Sequence, residues 1–328
     1  MRAIVVAAPG GVEALVEREV PLPEVGPGQI RVRVHATAVN RADLLQRRGR
    51  YPAPPGAPAD ILGLEYAGVV EAVGDGVSLW KPGDRVMGLV GGGGYAEAVV
   101  VHEREALPIP ENLSFEEAAA VPEAFITAHD ALFTRLGLGV GERLLIHAVG
   151  SGVGTAALQL AVAAGATVYG TARTAWKLER AASLGLELGI DAGREDFADV
   201  VLRHTGGEGV HAILDLAGGA YLAGNLRALA PLGRSVVVGT VAGSTAELNL
   251  GLLLAKRLTL VGTALRSRPL EEKIAATRAF QHHVLPLLSS GRVRPVIDRV
   301  YPLREVREAH LRMEANQNFG KIVLTLED

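Results

Sequence analysis

A glycine-rich turn at residues 150–154 is the stretch of this sequence best suited to chemistry. Its glycines stand at alternate positions, and glycine lets the backbone approach a ligand closely. A helix that begins beside such a turn offers free N–H groups and partial positive charge to a phosphate. The match to G-x-G-x-x-G is imperfect, because Thr155 occupies the place of the third glycine. The predicted pyrophosphate-binding residues are Gly150, Ser151, Gly152, Val153 and Gly154.

The elements around the turn support this interpretation. Residues 144–146 form a short apolar run typical of a buried strand, and residues 155–164 predict a helix that Gly165 ends. From residue 141 onward, strands and helices alternate until a sixth strand at 258–262. This order predicts an α/β fold with a doubly wound, parallel, six-stranded Rossmann sheet.

The end of the second strand bears on the choice of cofactor. An NAD-binding chain places Asp or Glu about 20 residues after the glycine turn. Here that position is Ala172, and Arg173 and Lys177 follow it. Two cations without a carboxylate suit a 2′-phosphate, so we expect NADPH. We also assign Gly239 and Thr240, at the end of the fifth strand, to the cofactor site.

A second, mostly β domain is predicted from the rest of the chain. Residues 30–36 alternate apolar and polar, and short strand candidates recur between Gly and Pro turns. The run of four glycines at 91–94 is interpreted as a flexible hairpin loop in preference to a moving lid. After Pro269, one long helix is predicted to run towards Leu288, and the tail from residue 296 then has patterns that the parallel sheet cannot accommodate. We therefore expect a catalytic domain of residues 1–121 and 269–328, with the cofactor domain, 122–268, inserted into it.

Composition excludes several classes of protein. The 328 residues are 48% apolar and 21% charged, and the net charge is −3 without a basic block, so we expect no nucleic-acid partner. No apolar run reaches the length of a membrane span and the first strand is no signal peptide, so we expect a cytoplasmic protein. Cysteine is absent, which excludes disulfides and thiolate chemistry.

Five segments together resemble the quinone oxidoreductase (zeta-crystallin) branch of the medium-chain dehydrogenase/reductase superfamily, and most of all its tumour-suppressor-inducible quinone oxidoreductase group. They are VNRADLLQRRGRYP at 39–52, ILGLE at 61–65, AAVPEAFITA at 119–128, LRSR at 265–268 and MEAN at 313–316. The likeness covers essentially the whole chain. It implies that the mostly β domain is a GroES-like barrel.

The resemblance also indicates metal-free chemistry. Zinc-dependent alcohol dehydrogenases hold their catalytic zinc with two Cys and one His, and the corresponding positions here are Asn40, Leu64 and Glu123. Leucine cannot bind a metal, and Asn with Glu is a poor zinc pair. Without a Lewis acid, alcohol oxidation is disfavoured, whereas quinones and α,β-unsaturated carbonyls need less help to accept a hydride.

By the same resemblance, several polar residues are expected at the site, each with a structural alternative. Asn40 and the Tyr51 hydroxyl are candidate donors to the acceptor oxygen, although Asn40 also suits a turn and Tyr51 a packed loop. Asp43 is either catalytic or a helix cap. Among the cofactor-binding candidates, Glu123 also suits a helix first turn. The expected catalytic residues are Asn40, Asp43 and Tyr51, and the expected nicotinamide-side residues are Glu123 and Thr127. Asn318 and Lys321 are expected where the family closes over the cofactor, with a solvated loop as the alternative.

The leading hypothesis is an NADPH-dependent reductase of quinones or enones. The alternatives are a 2-enoyl thioester reductase and a non-catalytic NADPH-binding protein. The apolar edge strand at 258–265 predicts association into a homodimer or a pair of dimers. His147 is expected to be a satisfied core histidine.

Overall fold

The computed structural model describes residues 1–326. The chain divides into two compact units, of which the first is Met1–Ile126 together with the chain from Leu265 onward, and the second is Thr127–Ala264. Both divisions lie within the cofactor domain that we expected at residues 122–268, so the second unit is a few residues shorter at each end. Within residues 1–326, no helix combines the length and the apolarity that a membrane span needs.

Strands occur in both units. In residues 1–326 they are β1 Arg2–Val6, β2 Leu15–Glu19, β3 Gln29–Val39, β4 Glu65–Val73, β5 Arg85–Leu89, β6 Ala98–His102, β7 Ala106–Pro108, β8 Arg143–Ile146, β9 Thr167–Ala172, β10 Leu188–Asp191, β11 Val210–Asp215, β12 Leu229–Val237, β13 Thr259–Gly262, β14 Ile297–Pro302 and β15 Lys321–Thr325.

Most helices are short. They are α1 Arg41–Arg47, α2 Phe115–Ala119, α3 Thr127–His129, α4 Gly152–Ala163, α5 Ala175–Ala182, α6 Phe197–His204, α7 Leu222–Ala228, α8 Leu250–Lys256, α9 Leu270–His283, α10 Leu285–Ser289 and α11 Val306–Glu314. Two π-helical segments, Pro122–Ile126 and Asp130–Arg135, flank α3.

The second unit contains the predicted parallel sheet. Its strand order is β10-β9-β8-β11-β12-β13, and every neighbouring pair is parallel. Numbered from β8, this is the order 3-2-1-4-5-6 of a doubly wound nucleotide-binding fold. Leu145, Ile190 and Ile213 from three of its strands pack into one buried cluster. The predicted Rossmann fold is confirmed.

The first unit contains a mixed sheet in the order β14-β15-β3-β4-β5-β7, with β6 also paired to β3. The eleven-residue β3 lies at its centre, and Ile30, Val32 and Val34 alternate into the core, as the sequence pattern predicted. The tail from residue 296 returns to this sheet, because β15 pairs with β3 and Ile322 lies opposite Val39.

Two expectations about local structure were wrong. The single long helix expected after Pro269 is divided into α9 and α10 at Val284, because Pro286 lacks an N–H and is tolerated only in the first turn of a helix, here that of α10. The glycine run at 91–94 is not a loose hairpin loop. Its backbone donates to Ile61 and Gly63 carbonyls at 2.9 and 3.1 Å, and a Cβ on Gly94 would meet the Glu65 carbonyl at 2.7 Å. Glycine is needed here for close approach of two backbones.

Candidate active site

The N-terminus of α1 brings Asn40 and Asp43 together. The Asn40 N–H donates to Oδ2 of Asp43 at 2.7 Å, and the Gly63 N–H donates to Oδ1 at 3.2 Å. Asp43 is fully buried, and burial raises the pKa of its carboxyl to about 6 in spite of these hydrogen bonds. Asp43 therefore completes the capping box at the start of α1, the structural alternative that the sequence left open.

The side chain of Asn40 is fully engaged within the protein. Nδ2 donates to the Ala38 carbonyl at 3.2 Å and to Oε1 of Glu65 at 2.8 Å, while Oδ1 accepts from Nζ of Lys321 at 2.6 Å. An amide nitrogen has only two hydrogens, and both are used. This geometry favours Asn40 as an anchor for Glu65 and Lys321 over the free donor that we expected.

Glu65 and Lys321 form a buried ion pair, and both are hydrogen-bonded to the Asn40 side chain. Nζ of Lys321 donates to Oε1 of Glu65 at 2.7 Å and to the Val39 carbonyl at 3.3 Å, and the two residues are 0% and 4% exposed. With the bond to Asn40, all three ammonium hydrogens have partners. A buried ion pair is stable only when its other hydrogen bonds are also satisfied, as they are here. We had expected Lys321 to contact the cofactor.

Glu65 was missed as a functional residue, although its segment contributed to the resemblance. The available signal was a lone carboxylate inside the apolar stretch ILGLEYAGVV at 61–70. Charged residues are almost never fully buried without a partner.

Glu123 is attached to this pair through its backbone. Its N–H donates to Oε2 of Glu65 at 2.8 Å. Burial, and next the Glu65 carboxylate, raise the pKa of Glu123 to about 7, while Lys321 opposes the rise. A partly exposed carboxyl group with this pKa can hold or release a proton near neutral pH.

Tyr51 lies against a cation. The guanidinium carbon of Arg266 is 5.0 Å from the centre of the Tyr51 ring. Burial raises the pKa of the Tyr51 hydroxyl, the Arg266 charge lowers it and Glu123 raises it. Arg266 is fixed by Gly91 and Gln46 at 2.8 and 2.5 Å, and its Nη1 has no hydrogen-bond partner in the part of the chain described. The Arg266 guanidinium therefore places a positive charge, and one N–H donor without an acceptor in residues 1–326, beside Tyr51.

A second buried network lies behind Asp43. The Tyr95 hydroxyl is 3.0 Å from Oδ2 of Asp43 and 3.2 Å from Nε2 of His310. Nη1 of Arg47 lies 3.1 Å from Nδ1 of His310, and Nη2 pairs with Glu314. Burial lowers the pKa of His310 to about 3, so its ring is neutral. Sequence reasoning identified neither Tyr95 nor His310.

In the second unit, the predicted phosphate turn has the required geometry. Ser151 caps α4, because its Oγ accepts from the Gly154 N–H at 3.0 Å. A Cβ on Gly154 would lie 2.5 Å from the Ala148 carbonyl oxygen, so only glycine fits. The first N–H groups of a helix have no partner within it and bind anions well. The turn therefore fits the pyrophosphate of a dinucleotide.

His147 is a satisfied core residue. It is 0% exposed, with Nδ1 3.0 Å from Oγ1 of Thr171 and Nε2 2.6 Å from Oδ1 of Asn225. Asn225 in turn donates to Oδ2 of Asp215 at 2.9 Å. Burial lowers the pKa of His147, so the neutral ring has a structural role.

The remaining predicted cofactor residues occupy varied positions. Arg173 is exposed after β9, and Lys177 lies on α5 with Nζ 5.3 Å from the Trp176 ring. Thr127 is buried at the start of α3. Gly239 and Thr240 follow β12, and the Thr240 carbonyl accepts from Gly243 at 3.0 Å. Asn318 is buried and donates to the Gly320 carbonyl at 2.9 Å.

The donor set at the zinc positions is unsuited to a metal. Leu64 is apolar and 2% exposed, and both polar atoms of the Asn40 side chain have partners. Within residues 1–326, no three His, Cys, Asp or Glu side chains are grouped so that they could hold an ion.

Two family models match the chain. Residues 26–111 match the alcohol dehydrogenase GroES-like domain, and residues 152–281 match the zinc-binding dehydrogenase family. Among curated proteins, the rat synaptic vesicle membrane protein VAT-1 homolog is 34% identical, over 99% of this chain and 84% of its own length. Rat quinone oxidoreductase is 33% identical, over 99% of this chain and 98% of its own length.

Solved structures agree with this assignment. An NAD-dependent alcohol dehydrogenase is 34% identical, with a TM-score of 0.88 over 100% of both chains. A mycobacterial protein in complex with NADPH is 28% identical, with a TM-score of 0.88 over 99% of this chain and 100% of its own. The CurK enoyl reductase is 27% identical, with a TM-score of 0.87 over 99% and 98%. The chain therefore belongs to the medium-chain dehydrogenase/reductase superfamily, among relatives that include the quinone oxidoreductases.

Proposed function

We propose that this oxidoreductase transfers a hydride from NADPH to quinones or other carbonyl-conjugated acceptors without a metal. The observation that carries the proposal is the donor set: Leu64 offers no ligand, and Asn40 is bound to Glu65 and Lys321. A site of this kind lacks the Lewis acid that alkoxide chemistry needs. It suits acceptors that are already electron-poor, and the 33% identity to rat quinone oxidoreductase supports the same class.

The cofactor supplies the hydride when it is bound. The turn at 150–154 would hold its pyrophosphate, as the clash of any Cβ at Gly154 supports. Arg173 and Lys177, with Ala172 in place of an acid, favour NADPH over NADH. Hydrogen bonds to charged groups contribute about 1.5–3 kcal/mol each, so one good phosphate contact implies roughly 10- to 100-fold preference. Equal affinity for the two cofactors would overturn this part of the proposal.

The protein's own residues would then stabilise the negative charge on the acceptor and supply one proton. Hydride addition leaves negative charge on the acceptor oxygen, and one proton completes a two-electron reduction. Tyr51 would donate from its hydroxyl, with the positive Arg266 guanidinium beside it. Glu123, with its pKa near 7, would supply or store the proton at its carboxyl group. Asn40 would hold Glu65 and Lys321 in place.

A second candidate, reduction of 2-enoyl thioesters, is favoured by the likeness to the CurK enoyl reductase at 27% identity. The same residues would serve, since the negative charge again develops on a carbonyl oxygen.

NADPH oxidation with a panel of acceptors tests the proposal. We expect turnover with 9,10-phenanthrenequinone and a 1,4-quinone, weaker turnover with NADH, and no loss on treatment with a chelator. Preference for a crotonyl thioester would establish the second candidate instead. Tight NADPH binding without turnover of any acceptor would indicate a non-catalytic binding protein, and a stoichiometric zinc ion in elemental analysis would contradict the metal-free site.

A further inference from the structure

The three side chains behind Asp43, those of Arg47, His310 and Tyr95, have a hydrogen-bond direction that the chemistry of their groups determines. Arginine can only donate, so Nδ1 of His310, 3.1 Å from Nη1 of Arg47, must be the acceptor. A neutral His310 then carries its proton on Nε2 and donates to the Tyr95 oxygen at 3.2 Å. The Tyr95 proton is left to point at Oδ2 of Asp43, 3.0 Å away. The donors run one way, from Arg47 to Asp43.

The other contacts of Asp43 complete a site for a carboxylate. Its oxygens also accept from the N–H groups of Asn40 and Gly63 at 2.7 and 3.2 Å. With three donors aimed at two oxygens, the ionised form is the one that the surroundings fit. Burial opposes ionisation, so Asp43 depends on these donors. The titratable and charged groups around it are Tyr95, His310, Arg47, Lys321, Glu65, Glu123 and Arg266.

The chain of hydrogen bonds is built from distant segments. Arg47 lies on α1 and is fully buried, with Nε donating to the Gly10 carbonyl at 3.2 Å. His310 lies on α11 and is also fully buried. Tyr95 follows the glycine run, and Gly63 makes room for it, because a Cβ on Gly63 would lie 2.6 Å from the Tyr95 ring. This conformation of Gly63, with φ +94°, excludes other residues from the position.

We propose that Tyr95 and His310 are positioning residues for the reaction: through a one-way hydrogen-bond chain from Arg47, they hold Asp43 as a carboxylate, and Asp43 holds Asn40 with its Glu65–Lys321 pair. Neither Tyr95 nor His310 contacts substrate in this scheme. The inference rests on the proposed function, since it concerns the same site.

Four variants of the full-length protein test the hydrogen-bond chain. Tyr95→Phe removes the hydroxyl that donates to Asp43. His310→Leu replaces the ring that connects Arg47 to Tyr95 with an apolar side chain of similar volume. His310→Gln keeps an amide N–H near the place of Nε2 and should restore the chain. Tyr66→Phe is the matched control, because the Tyr66 hydroxyl is equally buried in the same unit and has no hydrogen-bond partner in the part of the protein described.

The measurement is kcat and KM against pH with a quinone, alongside unfolding free energy against pH. If Asp43 must be ionised, activity rises with pH through about 6, the pKa of Asp43. We expect Tyr95→Phe and His310→Leu to move this acid limb upward by roughly one unit, mainly in kcat, since a donor to the charged form is lost. His310→Gln and Tyr66→Phe should stay near the wild type.

The outcomes separate this inference from the proposed function. The hydrogen-bond chain is overturned if the acid limb of the pH profile does not shift in His310→Leu, or if it shifts equally in His310→Gln. If Tyr95→Phe does not fold, the two His310 variants decide alone. If the wild type reduces no acceptor, the proposed function fails, but the chain is still tested by unfolding. The folded pKa of Asp43 lies above 3.8, so wild-type stability falls as pH rises towards about 6. In His310→Leu, the fall in unfolding free energy should extend to higher pH than in the wild type. An unchanged pH range would refute the hydrogen-bond chain.

Discussion

At the scale of single residues, Tyr51 offers the sharpest test of the proposed proton donation. General acid catalysis typically contributes 10²- to 10⁴-fold, whereas a ring that only stacks contributes much less. Tyr51→Phe keeps the ring beside Arg266 and removes the proton. We expect a loss of under about tenfold for quinones, whose reduced anion can take a proton from water, and a larger loss for an enone. Rates measured side by side for both acceptors check this, and an unchanged enone rate in Tyr51→Phe and Tyr51→Ala would remove Tyr51 from the site.

Glu123 is a second single residue with a testable role, because its pKa would link activity to pH. If the reaction uses its proton, kcat should fall as pH rises through about 7. Glu123→Gln, which cannot titrate, should abolish that alkaline limb. A limb that persists unchanged in the variant would show that another group is responsible.

The same shift has a consequence for stability. The folded pKa of Glu123, about 7, lies above its ordinary value of 4.5, so the folded state binds the proton more tightly than the unfolded state. The contribution of Glu123 to the unfolding free energy is therefore fully present below pH 4.5 and is lost as the pH rises to about 7. Above about pH 7 this group causes no further change. Glu123→Gln should flatten this fall. Denaturant unfolding at a series of pH values measures it.

At the scale of elements, the start of α4 depends on Gly154. Gly154→Ala forces a Cβ to within 2.5 Å of the Ala148 carbonyl oxygen. The turn must shift, so we expect a loss of about 1–3 kcal/mol of stability and weaker NADPH binding. Gly139→Ala is the control in the same unit, because its Cβ would have its nearest neighbour at an ordinary 3.7 Å. Fluorescence titration with NADPH compares the two, and equal affinities would refute the assigned role of the turn.

At the scale of the whole molecule, the second unit has an open edge strand and exposed apolar side chains on the helix that precedes it. β13 is an edge strand, and Leu250 and Leu254 on the preceding α8 are 61% and 74% exposed. Open edges and apolar patches of this kind are normally paired or covered. We propose that a second copy covers them in a homodimer or a pair of dimers.

Light scattering tests the association. The wild type should be at least dimeric at micromolar concentration, and Leu254→Asp should shift it towards monomer. Val140→Asp changes an even more exposed apolar residue, at 87%, which precedes β8, a strand that β11 and β12 separate from β13, and it should leave the mass unchanged. A monomeric wild type would contradict the proposal.

Features with local signals were predictable from the amino-acid sequence. Alternating strands and helices predicted the parallel sheet, and glycines beside a strand and a helix predicted the turn that Gly154 and Ser151 form. The absence of cysteine excludes thiolate zinc ligands on residue type alone, and the family resemblance places Leu64 at the position of the zinc-binding histidine. These features could be predicted because hydrophobic period and glycine placement act over a few neighbouring residues.

The roles of the polar residues depend instead on contacts between distant parts of the chain. Asn40 and Lys321 are 281 positions apart, and Arg47 and His310 are 263 apart, yet each pair is in direct contact. The family resemblance implied that Asn40 is a donor and that Lys321 contacts the cofactor. In the structure, Glu65, Asn40 and Val39 together accept all three hydrogens of the Lys321 ammonium. The physical reason is that a buried donor's role depends on which acceptors strand pairing places within about 3 Å of it, and no local pattern encodes those partners.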